Sequence, residues 1–180
     1  MTRHLLRTLL LIVLAALPAS AQQVDRRVAL APDAAIRIMS FAGTIRITGW
    51  DRDSLVVTGT VPTATGVLYF GGGGASAKLG VEARDAAVPV EADLEVRVPR
   101  RARLWVKTDR AAVLVEGVTG SLDAYSVSGT VVVRGAPAQT YAESMDGSLE
   151  VEGNVTWLRL KSAGGRIAFR GGAEDATATS

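Results

Sequence analysis

A period of 18 residues organises the second half of the chain. Shifting residues 104–117 by 18 lands on 122–135, then on 140–153 and 158–171, with no insertion between the four units. A repeat of this length cannot bury its own apolar face, so each unit must stack on its neighbours. The period therefore restricts the fold to an array of equivalent, stacked units.

Residues of the same kind recur at the same place in every unit. Each unit ends on a glycine, and a hydroxyl residue lies near the end of its first strand. The closing glycines are Gly117, Gly135, Gly153 and Gly171, and the hydroxyl residues are Thr108, Ser126, Ser144, Ser162 and Ser180. We expect these hydroxyl groups to point inward and to form a hydrogen-bonded ladder along the stack.

Within each unit, apolar and polar residues alternate, which is typical of β-strands. The pattern predicts an all-β fold, specifically a single-stranded β-solenoid resembling a parallel β-helix, with 18-residue coils. Each strand would pair in parallel with its equivalent one coil away, about 4.8 Å distant. Alternation places positions 104, 106, 108, 113 and 115 inward, and positions 105, 107, 114 and 116 outward.

Outward charges support this register independently. One column reads Glu116, Arg134, Glu152 and Arg170, so parallel in-register stacking brings opposite charges together at every step. A mixed surface charge also arises without such stacking. The alternation of sign nevertheless favours coil-on-coil pairing over hairpins.

Residues 22–103 are predicted to form an N-terminal β part or cap with an irregular pattern. It contains one repeat-like unit at 36–50, which matches 104–117 at an offset of 68. Strands are expected around 55–61, 66–70, 78–83 and 93–98, with a glycine loop at 71–74.

The repeat solenoid, residues 104–180, ends in mid-coil, because Ser180 falls on the hydroxyl position of a fifth unit. A stack cut in this way exposes a strand edge. We therefore expect a fragment, a truncated product or end-to-end self-association.

Residues 1–21 have the features of a secretory signal peptide. Arg3 and Arg7 precede a nine-residue apolar run at 9–17, and Ala19-Ser20-Ala21 has the small-residue pattern of a cleavage site. An uncleaved membrane anchor is the alternative, but the apolar stretch is short for a span. We expect cleavage, no transmembrane segment afterwards, and a periplasmic, outer-surface or secreted protein.

Composition excludes several classes of site. The only histidine, His4, lies in the predicted signal peptide, and the chain has no cysteine. Zinc sites built on His or Cys, cysteine nucleophiles, His-based triads, haem ligation and disulfides are thereby excluded from the mature chain. Because Arg3 and Arg7 belong to the signal, the remaining Lys and Arg residues balance the 18 Asp and Glu residues.

The phrase GVTGSLDAYSVSGTVVVRG at 117–135 and the phrase FAGTIRITGWDRD at 41–53 resemble a bacterial β-strand-repeat family. That family comprises domains of unknown function labelled "putative adhesin", and the resemblance covers residues 24–180. It implies an exported or envelope-exposed solenoid, with adhesion as an inherited label. It supplies no catalytic residues.

Candidate chemistry is sparse. The run Gly71–Gly74 lacks the Gly-Lys-Ser/Thr of a phosphate-binding loop. The acidic residues Glu91, Asp93 and Glu95 alternate along one solvated strand face, and the aspartate-bearing glycine turns of a calcium-binding repeat are absent from the sequence. Ser162 and Lys161 are adjacent, so they face opposite ways. We predict no catalytic residues, no cofactor and no metal.

A binding surface is the remaining candidate. Outward aromatic residues, with Trp157 expected in a turn, give one flank an aromatic character that marks either partner binding or packing against residues 50–103. A basic cluster could attract polyanions, although the sequence has no nucleic-acid motif. The candidate residues are Trp105, Tyr125, Tyr141, Trp157, Arg100, Arg101 and Arg103.

These observations favour a non-enzymatic exported β-solenoid that serves as a structural, adhesive or interaction module at the bacterial cell envelope. Its expected partners are envelope proteins or glycans, and no nucleic acid. The alternative is a carbohydrate-active β-helix enzyme acting on a polyanionic glycan, with Asp123 or Asp146 as its candidate carboxylates.

Overall fold

The structure, a computed structural model, describes residues 21–180. That part of the chain contains fourteen β-strands and no helix, so the predicted all-β class is confirmed. The predicted signal peptide, residues 1–21, lies outside the described residues apart from Ala21. Between residues 21 and 180 no helix of the length and hydropathy required to cross a membrane is found.

The strands lengthen toward the N terminus, where two of them exceed 15 residues. In chain order they are β1 Ala21–Ser40, β2 Ala42–Trp50, β3 Ser54–Pro62, β4 Gly66–Ala83, β5 Glu91–Pro99, β6 Arg103–Thr108, β7 Ala112–Glu116, β8 Ser121–Ser126, β9 Val131–Arg134, β10 Gln139–Ser144, β11 Leu149–Glu152, β12 Val155–Ser162, β13 Ile167–Arg170 and β14 Ala173–Thr179.

Strand β1 joins two layers of paired strands. Sheet A runs β13-β11-β9-β7-β2-β5-β3 and ends on the first half of β1. Sheet B begins on the second half of β1 and continues through β6-β8-β10-β12-β14. Strand β4 pairs with the other edge of β1 in sheet B. Each repeat unit thus contributes one strand to each sheet.

The repeat strands pair in parallel at the predicted offset of 18. In sheet B, Leu104 pairs with Leu122, which lies next to Thr140 and then Leu158. In sheet A, Val113 pairs with Val131 in the same way. The early unit joins the stack at an offset of 68, with Ile36 beside Leu104 and Ile45 beside Val113.

The inward positions form one continuous apolar core between the sheets. Positions 104, 106, 108, 113 and 115 are all buried, and positions 105, 107, 114 and 116 are partly or fully exposed, as predicted. The core continues through the non-repeating part, where Leu55, Val57 and Leu94 are buried. Apolar area removed from water is the main stabilising contribution, at about 25 cal/mol per Å².

The hydroxyl groups of Thr108, Ser126, Ser144 and Ser162 are buried as predicted, whereas Ser180 is exposed, and the buried hydroxyls do not form a ladder. Ser126 Oγ donates to the carbonyl of Gly129, while Ser144 and Ser162 Oγ accept the backbone N–H of the glycine three residues later, at 2.8 Å. Hydroxyl groups in successive coils are separated by a strand spacing of about 4.8 Å, which exceeds an O–H···O bond of about 2.8 Å. Each of these three serines therefore closes the turn of its own unit, whereas the buried Thr108 hydroxyl has no hydrogen-bond partner among residues 21–180.

Close stacking of these turns explains one glycine column. A Cβ on Gly129 would overlap the carbonyl oxygen of Ala111, and a Cβ on Gly147 or Gly165 would overlap that of the glycine one coil earlier. None of these three has a positive φ. The approach of one backbone to the next therefore requires glycine here.

The predicted charge column is confirmed at its centre. Arg134 lies 3.3 Å from Glu116 and 3.9 Å from Glu152, on the neighbouring strands to either side. In sheet B, Lys161 lies 3.2 Å from Glu143 of the preceding coil. These contacts join residues 18 positions apart on neighbouring strands, so they support the register independently of the core.

Antiparallel pairing distinguishes the N-terminal part. Strand β3 pairs antiparallel with both β1 and β5, which interrupts the parallel order found elsewhere. The loop expected at 71–74 is wrong, because these glycines belong to β4. Three of them, Gly72, Gly73 and Gly74, have positive φ values and bend the strand without ending it. The bend lets the second half of β4 pair with β1.

Candidate binding surface

Three of the predicted aromatic residues form a continuous run on the outer face of sheet B. The ring centroids of Trp105 and Tyr125 are 6.0 Å apart, and those of Tyr125 and Tyr141 are 5.5 Å apart. The planes are tilted by 48° and 42°, within the favoured range for aromatic pairs. The run crosses three coils, since Trp105 pairs in register with Asp123 and Asp123 with Tyr141.

The two tyrosines of this run have raised pKa values. The Tyr141 hydroxyl donates to Glu143, and this bond, together with burial and the Glu143 charge, raises the pKa of Tyr141 to about 12. Bonds from Tyr141 and Lys161 lower the pKa of Glu143. Burial and two nearby carboxylates also raise the pKa of Tyr125. Both phenols are therefore neutral at physiological pH.

Trp157 lies apart from the aromatic run. It belongs to β12, so its expected position in a turn is wrong. The Arg159 guanidinium lies 4.7 Å from its ring centroid, which is a cation–π distance. Trp157 pairs in register with Gln139.

The structure separates the three arginines of the predicted basic cluster. Arg100 binds Asp51 through two hydrogen bonds of 2.9 and 3.0 Å, and this pairing lowers the pKa of Asp51. Arg101 lies beside Arg100 in a shallow depression near Trp50. Only Arg103 lies on the same face as Trp105, lining a second depression with it. Arg100 thus forms an ion pair with Asp51 of the same chain, on the solvent-exposed surface.

No sequence pattern predicts a groove of about 710 Å³ that lies next to the aromatic run. We call it the β4–β6 groove, because the outer faces of β4, the second half of β1 and β6 line it. Exposed apolar side chains dominate it: Met39 is 50% exposed, Phe41 41% and Tyr69 53%. Trp105 belongs to both the groove and the aromatic run.

Charges in the β4–β6 groove are distributed unevenly. Arg37, Lys78 and Lys107 line it, and none of them takes part in the salt bridges of residues 21–180. Arg37 and Lys78 are direct cross-strand neighbours, an arrangement of like charges that destabilises a sheet. Of the two lining acids, Asp109 pairs with Arg110 at 3.5 Å, which leaves Glu82.

The carboxylates considered for catalysis do not converge. Asp123 lies on the outer face of β8, where burial raises its pKa, whereas Asp146 lies in the turn after β10. Glu91, Asp93 and Glu95 alternate along the exposed face of β5, as predicted. Across residues 21–180 no cluster of acidic residues suits a metal ion.

Comparison with known proteins yields distant structural likenesses. No protein-family model matches the chain, and no curated protein matches it. A "putative cell adhesion protein" from Clostridium sporogenes is 8% identical, with a TM-score of 0.44 over 88% of this chain and 100% of that one. A "putative adhesin" from Parabacteroides distasonis is 10% identical, with a TM-score of 0.35 over 88% and 98%. A third, from Parabacteroides merdae, is 8% identical, with a TM-score of 0.28 over 88% and 95%.

Proposed function

We propose that this protein is a non-enzymatic, exported β-solenoid that acts as an adhesive or interaction module at the bacterial cell envelope. The parallel pairing of strands 18 residues apart supports the solenoid, and the sequence of residues 1–21 supports export. The sequence beyond residue 21 contains neither histidine nor cysteine, and the absence of these common catalytic residue types supports a role in binding.

One observation carries the proposal: a single sheet face combines the aromatic run with an exposed apolar groove. The run Trp105–Tyr125–Tyr141 reaches the groove at Trp105, where Met39, Phe41 and Tyr69 continue it. Contiguous exposed apolar surface marks interaction sites, and aromatic residues, Met and Arg are enriched in protein interfaces. We place the interaction surface on the outer face of sheet B.

The opposite sheet provides a matched control. Leu114 and Val132 lie on the outer face of sheet A, in register with each other and partly exposed. Replacing them with serine removes outward apolar area without touching the aromatic run. Comparing this variant with one that lacks the aromatic run therefore distinguishes the loss of a specific binding surface from a general loss of exposed apolar area.

The experiment measures binding of the purified, exported protein to envelope fractions of its source bacterium. The triple variant Trp105→Ser, Tyr125→Ser, Tyr141→Ser is expected to lose at least about 1.4 kcal/mol of binding, a tenfold change. The double variant Leu114→Ser, Val132→Ser should bind like the wild type. Equal loss in both variants would refute the assignment of the surface. Cleavage of a polyanionic glycan that disappears in Asp123→Asn would instead favour the carbohydrate-active alternative.

A further inference from the structure

The floor of the β4–β6 groove consists of successive rows of side chains across three strands. In the first row, Arg37 lies between Lys78 and Trp105. In the second row, Met39 lies between Gly80 and Lys107. The first row therefore carries two cations, Arg37 and Lys78, whereas the second carries one, Lys107, beside Met39 and Gly80. Positive charge thus falls along the strand direction over one two-residue step of about 6.6 Å.

The far end of the groove has the opposite charge. Two residues beyond the second row, Phe41 and Asp109 follow Met39 and Lys107, and Glu82 follows Gly80. Asp109 pairs with Arg110, so Glu82 remains as an acid without a salt bridge within residues 21–180. A ligand lying along β1 and β4 would meet Arg37 and Lys78, then the apolar surface of Met39 and Gly80 with Lys107 beside it on β6, and then Glu82.

We propose that the β4–β6 groove binds a polypeptide segment of a partner protein, in which a large apolar side chain is flanked by a carboxylate. The apolar side chain would lie over Met39 and Gly80, and the carboxylate would pair with Arg37, Lys78 or Lys107. This inference rests on the proposed function and specifies the partner chemistry of the same surface.

Charge and shape favour a peptide over other anionic ligands. A uniform polyanion such as an acidic glycan would place negative charge against Glu82, and the apolar side chains of Met39, Phe41 and Val127 offer a sugar no strong hydrogen bonds. An anionic acyl chain would pair its head with the cations but lay its tail against Glu82. A peptide changes polarity from residue to residue, so it can match all three zones. A volume of about 710 Å³ accommodates a few side chains.

Gly80 is a buried residue of the groove floor that leaves room for a side chain. A Cβ built at this position would approach only Met39, at 3.9 Å from its Cβ and 4.0 Å from its carbonyl oxygen. These are ordinary van der Waals contacts, and Gly80 does not have a positive φ. An alanine can therefore replace Gly80 without backbone strain. The longer side chain of a leucine would extend into the space that the apolar side chain of the partner would fill.

The test is selection from a displayed library of short random peptides, with the purified exported protein as bait and the Gly80→Leu variant for counter-selection. Enriched peptides should combine a large apolar residue with Asp or Glu. Their affinity should fall at least about tenfold on Gly80→Leu and on Lys78→Glu, and it should weaken as salt is added. The Gly80→Ala variant should bind within a few-fold of the wild type. Thermal unfolding establishes that each variant is folded, and Lys78→Glu carries the test if Gly80→Leu does not fold.

Three results would overturn the proposal. The first is a library that yields no peptide preferring the wild type over Gly80→Leu, and the second is enriched peptides without carboxylates. The third is binding of polygalacturonate, or of vesicles containing phosphatidylglycerol, that Gly80→Leu abolishes while no peptide is enriched. Envelope binding that depends on Tyr125 and Tyr141 but not on Gly80 would remove the groove proposal and leave the proposed function intact.

Discussion

Reversing one charge in the outward column of sheet A should destabilise the stack by a calculable amount. Glu152 lies 3.9 Å from Arg134 and pairs in register with Arg170 on its other side. Glu152→Arg would place three arginines on successive strands, replacing an attraction with two repulsions. Side-chain exposures of 55% and 65% for Arg134 and Glu152 place each contact at the low end of 0.2–1 kcal/mol. We expect a loss of about 1 kcal/mol at low salt.

Glu150 provides the matched control for this substitution. It lies on the same strand, but its in-register neighbours are Val132 and Ala168, which are uncharged. Glu150→Arg therefore makes the same change in net charge without placing a new like charge directly opposite a neighbour. The difference in stability between the two variants therefore measures the charge contacts in the column that contains Glu152.

Thermal unfolding followed by circular dichroism measures the effect. For a chain of this size, about 1 kcal/mol corresponds to a fall in Tm of roughly 2–4 °C. The fall should be specific to Glu152→Arg, and it should shrink in about 1 M salt, where the Debye length is about 3 Å. Equal losses in the two variants, or a loss that salt does not reduce, would refute parallel in-register stacking as the cause.

Three further predictions follow from buried or crowded groups. Gly147→Ala should lower stability by about 1–3 kcal/mol in denaturant titrations, because its Cβ would overlap the Gly129 carbonyl; unchanged stability would contradict the close stacking of these turns. Thr140→Val should raise Tm, since the Thr140 hydroxyl is fully buried with no hydrogen-bond partner; a marked fall would contradict this. In an absorbance titration of the phenols, Tyr141 should ionise last, near pH 12, and Tyr141→Phe should remove that step. Because its pKa is raised on folding, Tyr141 stabilises the fold fully below about pH 10 and progressively less as the pH rises toward 12.

Periodic residues made the stacked part of the fold predictable. Columns such as Glu116, Arg134 and Glu152 predict that each strand pairs with the strand 18 residues further along the chain. A slip of one residue in this register would expose the core and separate the charges. The aromatic residues Trp105, Tyr125 and Tyr141 were predicted to face outward for the same reason. Their ring contacts follow directly from that register.

The β4–β6 groove was not predictable, because its walls come from segments that share no period. Tyr69 and Gly80 reach Met39 only because β4 bends at its glycines and returns along β1. In the sequence, Met39 and Phe41 are isolated apolar residues on an alternating strand, which is ordinary for a protein surface. The hydroxyl ladder was wrong for a different reason: the repeat placed the side chains correctly, but backbone groups within each turn are closer partners than the next coil.

Site-specific photo-crosslinking tests the location of the interaction surface most directly. A benzophenone amino acid would replace Tyr125 on the outer face of sheet B or, in a separate variant, Val132 on the outer face of sheet A. Both variants would be exported in the source bacterium, irradiated and analysed for adducts with envelope components. We predict a discrete adduct from position 125 and none from position 132. Adducts from position 132 alone, or equally from both positions, would contradict the assignment of the interaction surface to sheet B.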